Sequence, residues 1–535
     1  VAQDAAVGET TAVFNPVQYT RHASRTFTRA RTRLRDVFVD VYTAVLALGT
    51  IGALAAGLVL ALREQVALAW DADSVGRTLV APASFALPDG AAGTALLFAM
   101  LAGGTVLARK LGPAAVTTAE GYWWLSLPLD RRPLVSGRLL RRLALVWAGG
   151  TVLYLPVGFI TDLDASVRGQ FLGAAVFGVA AVVAVLLAAL RQVTQRAGHR
   201  PSGSRQTDPQ ASRPGAVRRL ASGPLPGLLL LAVLSFVPRQ AAAGELGPAL
   251  VTLAAAVGLW LIVFPRLGII PARDLISAGG VSGHAGAAVY MMDVNEVGRA
   301  LSDGSGGVAA TRARRWYARG GGRTPFGALL RADVTAFLRT GGWLVRPVLL
   351  LVLCVVLLLT GGSQPVPLQL ALIAVTVFAS VPAAGALARR TAITPGLDML
   401  LPLSPAMVHL SRIAMPAVFL ALWAGAFLAV LVLLGAGSPE LIALGALAGV
   451  GFGASAVRGA YRVQPDWTVP PTDTVFGPVP SAQTGAMVRG LDTTLLALVP
   501  LLLGLFLGYV PGVLLLAQAG FSAACVLMAM YSNPK

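Results

Sequence analysis

The chain has 535 residues, 56% of them hydrophobic and 12% charged, and a mean hydropathy of +0.73. Soluble domains carry roughly 25% charged residues, so a water-soluble globule is excluded and most of the chain must be solvated by lipid. The net charge of +18 does not point to nucleic acid, because the arginines cluster between apolar runs and no separate basic domain exists to carry such binding.

Residues Val1–Thr20 are polar and mildly acidic and lack the basic-then-apolar order of a cleaved signal peptide. A basic amphipathic stretch, Arg21–Asp36, follows. A membrane helix needs about 20 largely apolar residues, and twelve runs qualify: 37–62, 91–108, 139–160, 170–190, 222–237, 247–265, 344–360, 366–388, 413–435, 440–457, 491–508 and 510–531. The fifth is short and carries Pro224 and Pro226, which predicts a tilted or re-entrant segment.

Arginine sets the orientation. The segment before the first run holds Arg21, Arg25, Arg29, Arg31, Arg33 and Arg35, and the connections after runs 2, 4, 6, 8 and 10 are also Arg-bearing. The connections between these are short or acidic, with Glu64, Asp71, Asp73, Asp162, Asp164, Glu245 and Glu440. By the positive-inside bias both termini are cytoplasmic and the chain is a multi-pass plasma-membrane protein.

Loop lengths then repeat. Residues 21–265 and 323–531 each run from an amphipathic lead-in through three helix pairs separated by two long cytoplasmic loops. The expected fold is therefore all-α: a polytopic integral membrane protein of about twelve transmembrane helices in two six-helix repeats. Its parts are a tail with a basic helix (1–36), a first unit (37–265), a cytoplasmic linker with amphipathic helices (266–343), a second unit (344–531) and a short tail (532–535). His199–Ala216 and Gly304–Gly322 are linkers by composition. Between them Tyr290, Val294, Val297 and Leu301 form one face of a short amphipathic helix, which lies on the membrane or docks a partner.

Cys354 and Cys525 both sit within apolar runs and permit no disulfide framework, and His22, His199, His284 and His409 lack ligand spacing, so no metal site is expected. The ionisable residues within runs, Asp40, Arg346 and Asp492, lie near the inner ends, where they reach the interface. A Gly-x-x-x-Gly at Gly445–Gly449 is a weak packing signal, expected by chance in a chain this rich in glycine.

The most patterned polar stretch runs from Glu120 to Arg138: Glu-Gly-Tyr-Trp-Trp-Leu-Ser-Leu-Pro-Leu-Asp-Arg-Arg-Pro-Leu-Val-Ser-Gly-Arg. Pro128 cannot continue a helix and forces a reversal; Asp130, Arg131 and Arg132 then start a second short helix with Pro133 in its first turn. Tyr122, Trp123 and Trp124 are interface anchors. The expected result is a bent hairpin on the inner membrane surface with a charged tip. A copy recurs 274 residues later from Met399 to Arg412, with Leu401, Pro402, Leu403 and Arg412 matching Leu127, Pro128, Leu129 and Arg138 and with Ser404 in its turn.

This order resembles the loop between the second and third helices of type-2 ATP-binding-cassette (ABC) exporter permeases. The resemblance implies that Glu120, Pro128, Asp130, Arg131, Arg132, Gly137 and Arg138 form a first ATPase-coupling loop, and Pro402, Ser404 and Arg412 a second. The second departs from the pattern, with Thr394 where Glu120 would stand and Ser411 in place of the glycine. Six spans per unit and an amphipathic lead-in, seen at Arg21–Asp36 and Thr324–Thr340, also fit the family. The resemblance further implies two copies of a separate nucleotide-binding ATPase as partners, with ATP and Mg on them. It implies no catalytic residue in this chain, which has no phosphate-binding Gly-x-x-x-x-Gly-Lys-Ser/Thr loop. The substrate class is amphipathic: a lipid, a peptide or a drug-like molecule. Two other readings stay open. One is an ion-coupled carrier, which twelve spans with an internal repeat also suit. The other is a polyprenyl-phosphosugar glycosyltransferase with Asp71 and Asp73 as its external acids.

Overall fold

The structure is a computed structural model that describes residues 91–127, 130–160, 166–194, 224–290, 294–301, 324–339, 343–359, 366–461, 472–474, 477–479 and 490–531, with a few single positions before residue 91. The expectations for Arg21–Asp36, the run 37–62, Asp40, Asp71, Asp73, Pro128 and the linkers His199–Ala216 and Gly304–Gly322 lie outside the described residues.

The apolar runs form helices because in hydrocarbon every amide must be bonded within its own segment. In order they are α1 (Ala91–Leu111), the short α2 (Thr118–Trp124), α3 (Arg132–Ile160), α4 (Val167–Thr194), α5 (Pro224–Ala242) and α6 (Leu246–Val263), which tightens into a 3-10 turn over Phe264–Ile269. Then come α7 (Ala272–Tyr290), α8 (Val294–Ala300), α9 (Pro325–Arg339), α10 (Val345–Leu358), α11 (Val366–Ala384), α12 (Ala386–Thr391) and α13 (Pro395–Asp398). The last four are α14 (Pro405–Leu433), α15 (Glu440–Ala460), α16 (Leu491–Leu507) and α17 (Gly512–Met530). Eight of these, α1, α3, α4, α6, α11, α14, α15 and α17, are long and apolar enough to cross a membrane, and α5, α10 and α16 are shorter apolar helices.

Three details differ from the sequence reading. Pro224 and Pro226 fall in the first turn of α5, where a missing amide proton costs nothing, so the helix is not broken there. Residues 272–290, read as linker, form a 19-residue helix. The long loop after α15 is not wholly irregular: Thr472–Thr474 and Gly477–Val479 pair as a two-stranded antiparallel ribbon, with Asp473 opposite Pro478. The architecture is otherwise helical among the described residues.

Buried side chains gather in three clusters. Two are built from residues between 97 and 275: one around Leu134, Leu139, Leu186, Leu267 and Leu275, the other around Leu97, Leu101, Tyr154, Phe177 and Leu231. The third draws on residues from Phe337 to Ala529, together with Leu79. Within it α14 and α15 touch backbone to backbone. A Cβ added at Gly449 would lie 2.3 Å from the Leu420 carbonyl oxygen, one at Gly453 2.3 Å from Ala417 Cα, and one at Gly445 3.0 Å from the Ala424 oxygen. The Gly-x-x-x-Gly that chance alone could supply thus lies at a close helix contact, where small residues replace hydrophobic drive as the basis of packing.

Candidate functional site

The Glu120 stretch opens with α2. Thr117 caps it: its hydroxyl accepts the Glu120 amide (3.4 Å) and donates to the Glu120 carboxylate (3.0 Å). That carboxylate also pairs with Arg138, both side chains being about a quarter exposed. Asp130 accepts the Arg132 amide at 3.0 Å. From Arg132 a single helix of 29 residues runs on to Ile160. The expected second short helix is therefore absent; Pro133 sits in the first turn, where it starts α3 instead of ending a separate element. Gly137 is on the open side of α3, with nothing within 4 Å of an added Cβ. Tyr122 and Trp123 stack edge to face at 5.4 Å and are 74% and 67% exposed.

This stretch lies on α7. A Cβ at Gly279 would fall 1.7 Å from the Val116 carbonyl oxygen, and one at Gly121 2.5 Å from Ile276 Cγ1. Val116 donates its amide to the Leu275 carbonyl at 3.1 Å. The glycines are what let the two backbones meet.

The second stretch has the same order with different chemistry. Tight turns carry the chain from Leu397 to Leu403, the Leu403 amide bonding to the Leu401 carbonyl at 2.8 Å around Pro402. Ser404 is the residue before Pro405 and precedes a 29-residue helix, α14. Arg412 is 5% exposed. Its two terminal nitrogens grip Asp398 at 2.8 and 2.5 Å, and its guanidinium lies 5.6 Å from the centre of the Tyr461 ring. Thr394, at the place of Glu120, carries no acid, but Asp398 stands one helical turn further on and supplies it.

A second carboxylate joins from α9. Asp333 is 7% exposed and accepts the Ser411 hydroxyl at 2.7 Å. Burial raises its pKa above the usual carboxylate range, against the opposing pull of the Ser411 bond and of Arg412. Ser411, which replaces the glycine of the first copy, thus ties the amphipathic helix to the stretch. Tyr461 completes the node: its hydroxyl and Thr391 Oγ1 are 3.0 Å apart, and its ring packs 4.6 Å from His409, whose Nδ1 meets the Ala529 carbonyl at 3.1 Å. The apex of the stretch stays uncovered, with Met399 and Leu400 83% and 79% exposed.

Of the ionisable residues expected within runs, Arg346 is exposed at the start of α10. Asp492 accepts Arg458 at 2.9 Å and the amides of Gly490 and Thr493 at 2.8 Å each. It is a bonded helix start and not a lone interfacial charge. Among the described residues no three His, Cys, Asp or Glu side chains converge as a metal-holding group.

The sequence reading missed Asp398, Asp333, Arg458 and Tyr461. Only Asp398 had a sequence signal: an acid one turn from the gap at Thr394.

A family model described as a family of unknown function, DUF6297, matches residues 86–470. The chain belongs to this family. Glu120, Arg138, Asp398 and Arg412 all lie within the DUF6297 match, as do Asp333, Ser411 and Tyr461; Asp492 lies beyond it. No curated protein and no solved structure matches the chain.

Proposed function

We propose that the chain is the membrane permease of an ATP-driven exporter of the type-2 ABC class, built as two six-helix repeats with twelve spans in the plasma membrane. One observation carries this reading. The same arrangement occurs twice, 274 residues apart: a short helix, an exposed turn, and a 29-residue helix whose arginine pairs with a carboxylate of the short helix, Arg138 with Glu120 and Arg412 with Asp398.

In this reading the Arg-bearing end of the bundle, with both termini, faces the cytoplasm. Two copies of a separate ATPase bind ATP and Mg, and each grips one exposed turn. The chain itself performs transport without catalysis. Closure of the ATPases pushes the first stretch against α7 and the second, through Ser411 and Asp333, against α9. The helices then rock as rigid bodies and pass an amphipathic substrate outward.

The test is capture of the motor. A photo-crosslinker at Leu127 or Leu400, both exposed, should trap an ATPase when the full chain is taken from native membranes. Substrate transport by the purified chain in proteoliposomes without any ATPase would overturn the reading.

A further inference from the structure

A cavity of about 300 Å³ opens where the ends of α1 and α4 meet the side of α7, lined among others by Arg109, Lys110, Arg191, Asp274 and Ser277. Its floor is fixed. Arg142 donates to the carbonyls of Gly112 (2.9 Å) and Pro113 (3.1 Å) and to Ser282 Oγ (3.1 Å). The Gln192 side chain holds Ala114 from both sides, accepting its amide at 3.1 Å and donating to its carbonyl at 3.0 Å. Lys110 donates to the Leu301 carbonyl at 2.8 Å.

The charges converge on one further feature. A Cβ at Gly227 would lie 3.3 Å from Arg191 Nη2 and 3.8 Å from Arg109 Nη2, so both guanidinium groups reach the first turn of the 19-residue α5. That turn carries partial positive charge, but Pro224 and Pro226 lack amide protons and the Gly227 amide closes the first helical bond, so the guanidinium groups and not the turn supply the donors. Three cationic side chains, Arg109, Lys110 and Arg191, thus line one space with Asp274 as its single lining carboxylate. Like charges gathered at the hydrocarbon edge repel strongly, and a bound anion reverses the sign of that energy.

Planar guanidinium forks are the groups that recognise phosphate oxygens. The volume is at the lower end of small-molecule pockets, roughly 300–1,000 Å³, and leaves room for a small alcohol beside the phosphate. We propose that this cavity binds a phosphate ester, either the headgroup of an anionic phospholipid or a soluble phosphate monoester. None of its charged residues belongs to the two coupling stretches, so the proposal stands or falls apart from the exporter reading.

The experiment uses the full chain with two probes. Phosphatidylglycerol against phosphatidylcholine in nanodiscs, read by native mass spectrometry, tests the lipid source; glycerol 3-phosphate in detergent, read by calorimetry, tests the soluble one. The R109Q/R191Q variant should bind the true ligand about tenfold more weakly or worse, and R109K/R191K should recover part of the loss. Should R109Q/R191Q fail to fold, S277W, which fills the cavity from an exposed position and keeps every charge, should abolish the same binding. Loss with one probe identifies the source. Equal binding of both probes by wild type and variants, or no preference for phosphatidylglycerol together with no glycerol 3-phosphate binding, would overturn the proposal.

Discussion

Arg412 and Asp398 meet through both guanidinium nitrogens, at 2.8 and 2.5 Å, with the arginine side chain 4% exposed and the aspartate 22%. Arg138 and Glu120 occupy the matching places of the first half at 28% and 24% exposure. Desolvation decides what each pair contributes. Removing one partner of a buried pair strands the other and costs about 3–5 kcal/mol, whereas a pair reached by water contributes about 0–1 kcal/mol. D398A, which strands the 4% exposed Arg412, should therefore lower the unfolding midpoint of the detergent-purified chain by several degrees, and E120A, which strands the 28% exposed Arg138, should leave it nearly unchanged. Equal losses in thermal scans would show that burial does not separate the pairs.

Asp333 makes stability fall as pH rises. Its folded pKa lies above the unfolded reference of 3.8 because burial outweighs the Ser411 bond and Arg412. The native state thus holds its proton where the unfolded chain has lost it, and stability drops through the window between the two pKa values. D333N keeps an acceptor for Ser411 and carries no charge to desolvate. It should match wild type below pH 3.8 and exceed it above the folded pKa, as read from unfolding midpoints across a pH series.

Gly279 and Gly280 form a matched pair of probes on α7. A Cβ at Gly279 meets the Val116 carbonyl oxygen at 1.7 Å, and one at Gly280 meets nothing within 4 Å. G279A should destabilise by about 1–3 kcal/mol or more through forced separation. G280A should be neutral or stabilise by up to about 1 kcal/mol through helix propensity. Differential scanning fluorimetry on the two variants separates the effects.

Gly453 offers the same contrast in the second half. Its added Cβ would lie 2.3 Å from Ala417 Cα, whereas Gly520 on α17 has open space. G453V should push α14 off α15 and cut the yield of folded protein by about tenfold or more, and G520A should express as wild type. Monodisperse yield from size-exclusion chromatography measures both.

The exporter reading has its own mutational test at the tip of the first stretch, where Arg131 is half-buried and Arg132 exposed. R131E/R132E should keep the thermal midpoint and lose about tenfold or more of the transport-linked ATP hydrolysis by the assembled complex, since like charge across a docking surface costs several kcal/mol.

Helix positions were largely readable from the chain because their cause is local: an apolar run in lipid has no alternative to bonding its own amides. For that reason run 440–457 ends within three residues of α15, and run 413–435 covers α14 except for its first eight residues, which are more polar than the rest. Helix α7 was not, since its small residues, Ala278, Gly279, Gly280 and Gly283 among them, look like linker composition until the backbone they pack against is known. Arg138 and Arg412 stood out through the 274-residue offset. Asp333 and Tyr461 could not, because each reaches Ser411 or Arg412 from a distant helix and no spacing in the sequence encodes that approach.

Among the described residues no cluster of buried side chains draws on both residues 97–275, which fill two, and residues 337–529, which fill a third, so a void opened in one set leaves the packing of the other in place. Leu79 precedes both sets in the chain yet packs into the later one, so its truncation registers in the second interior and not in the first.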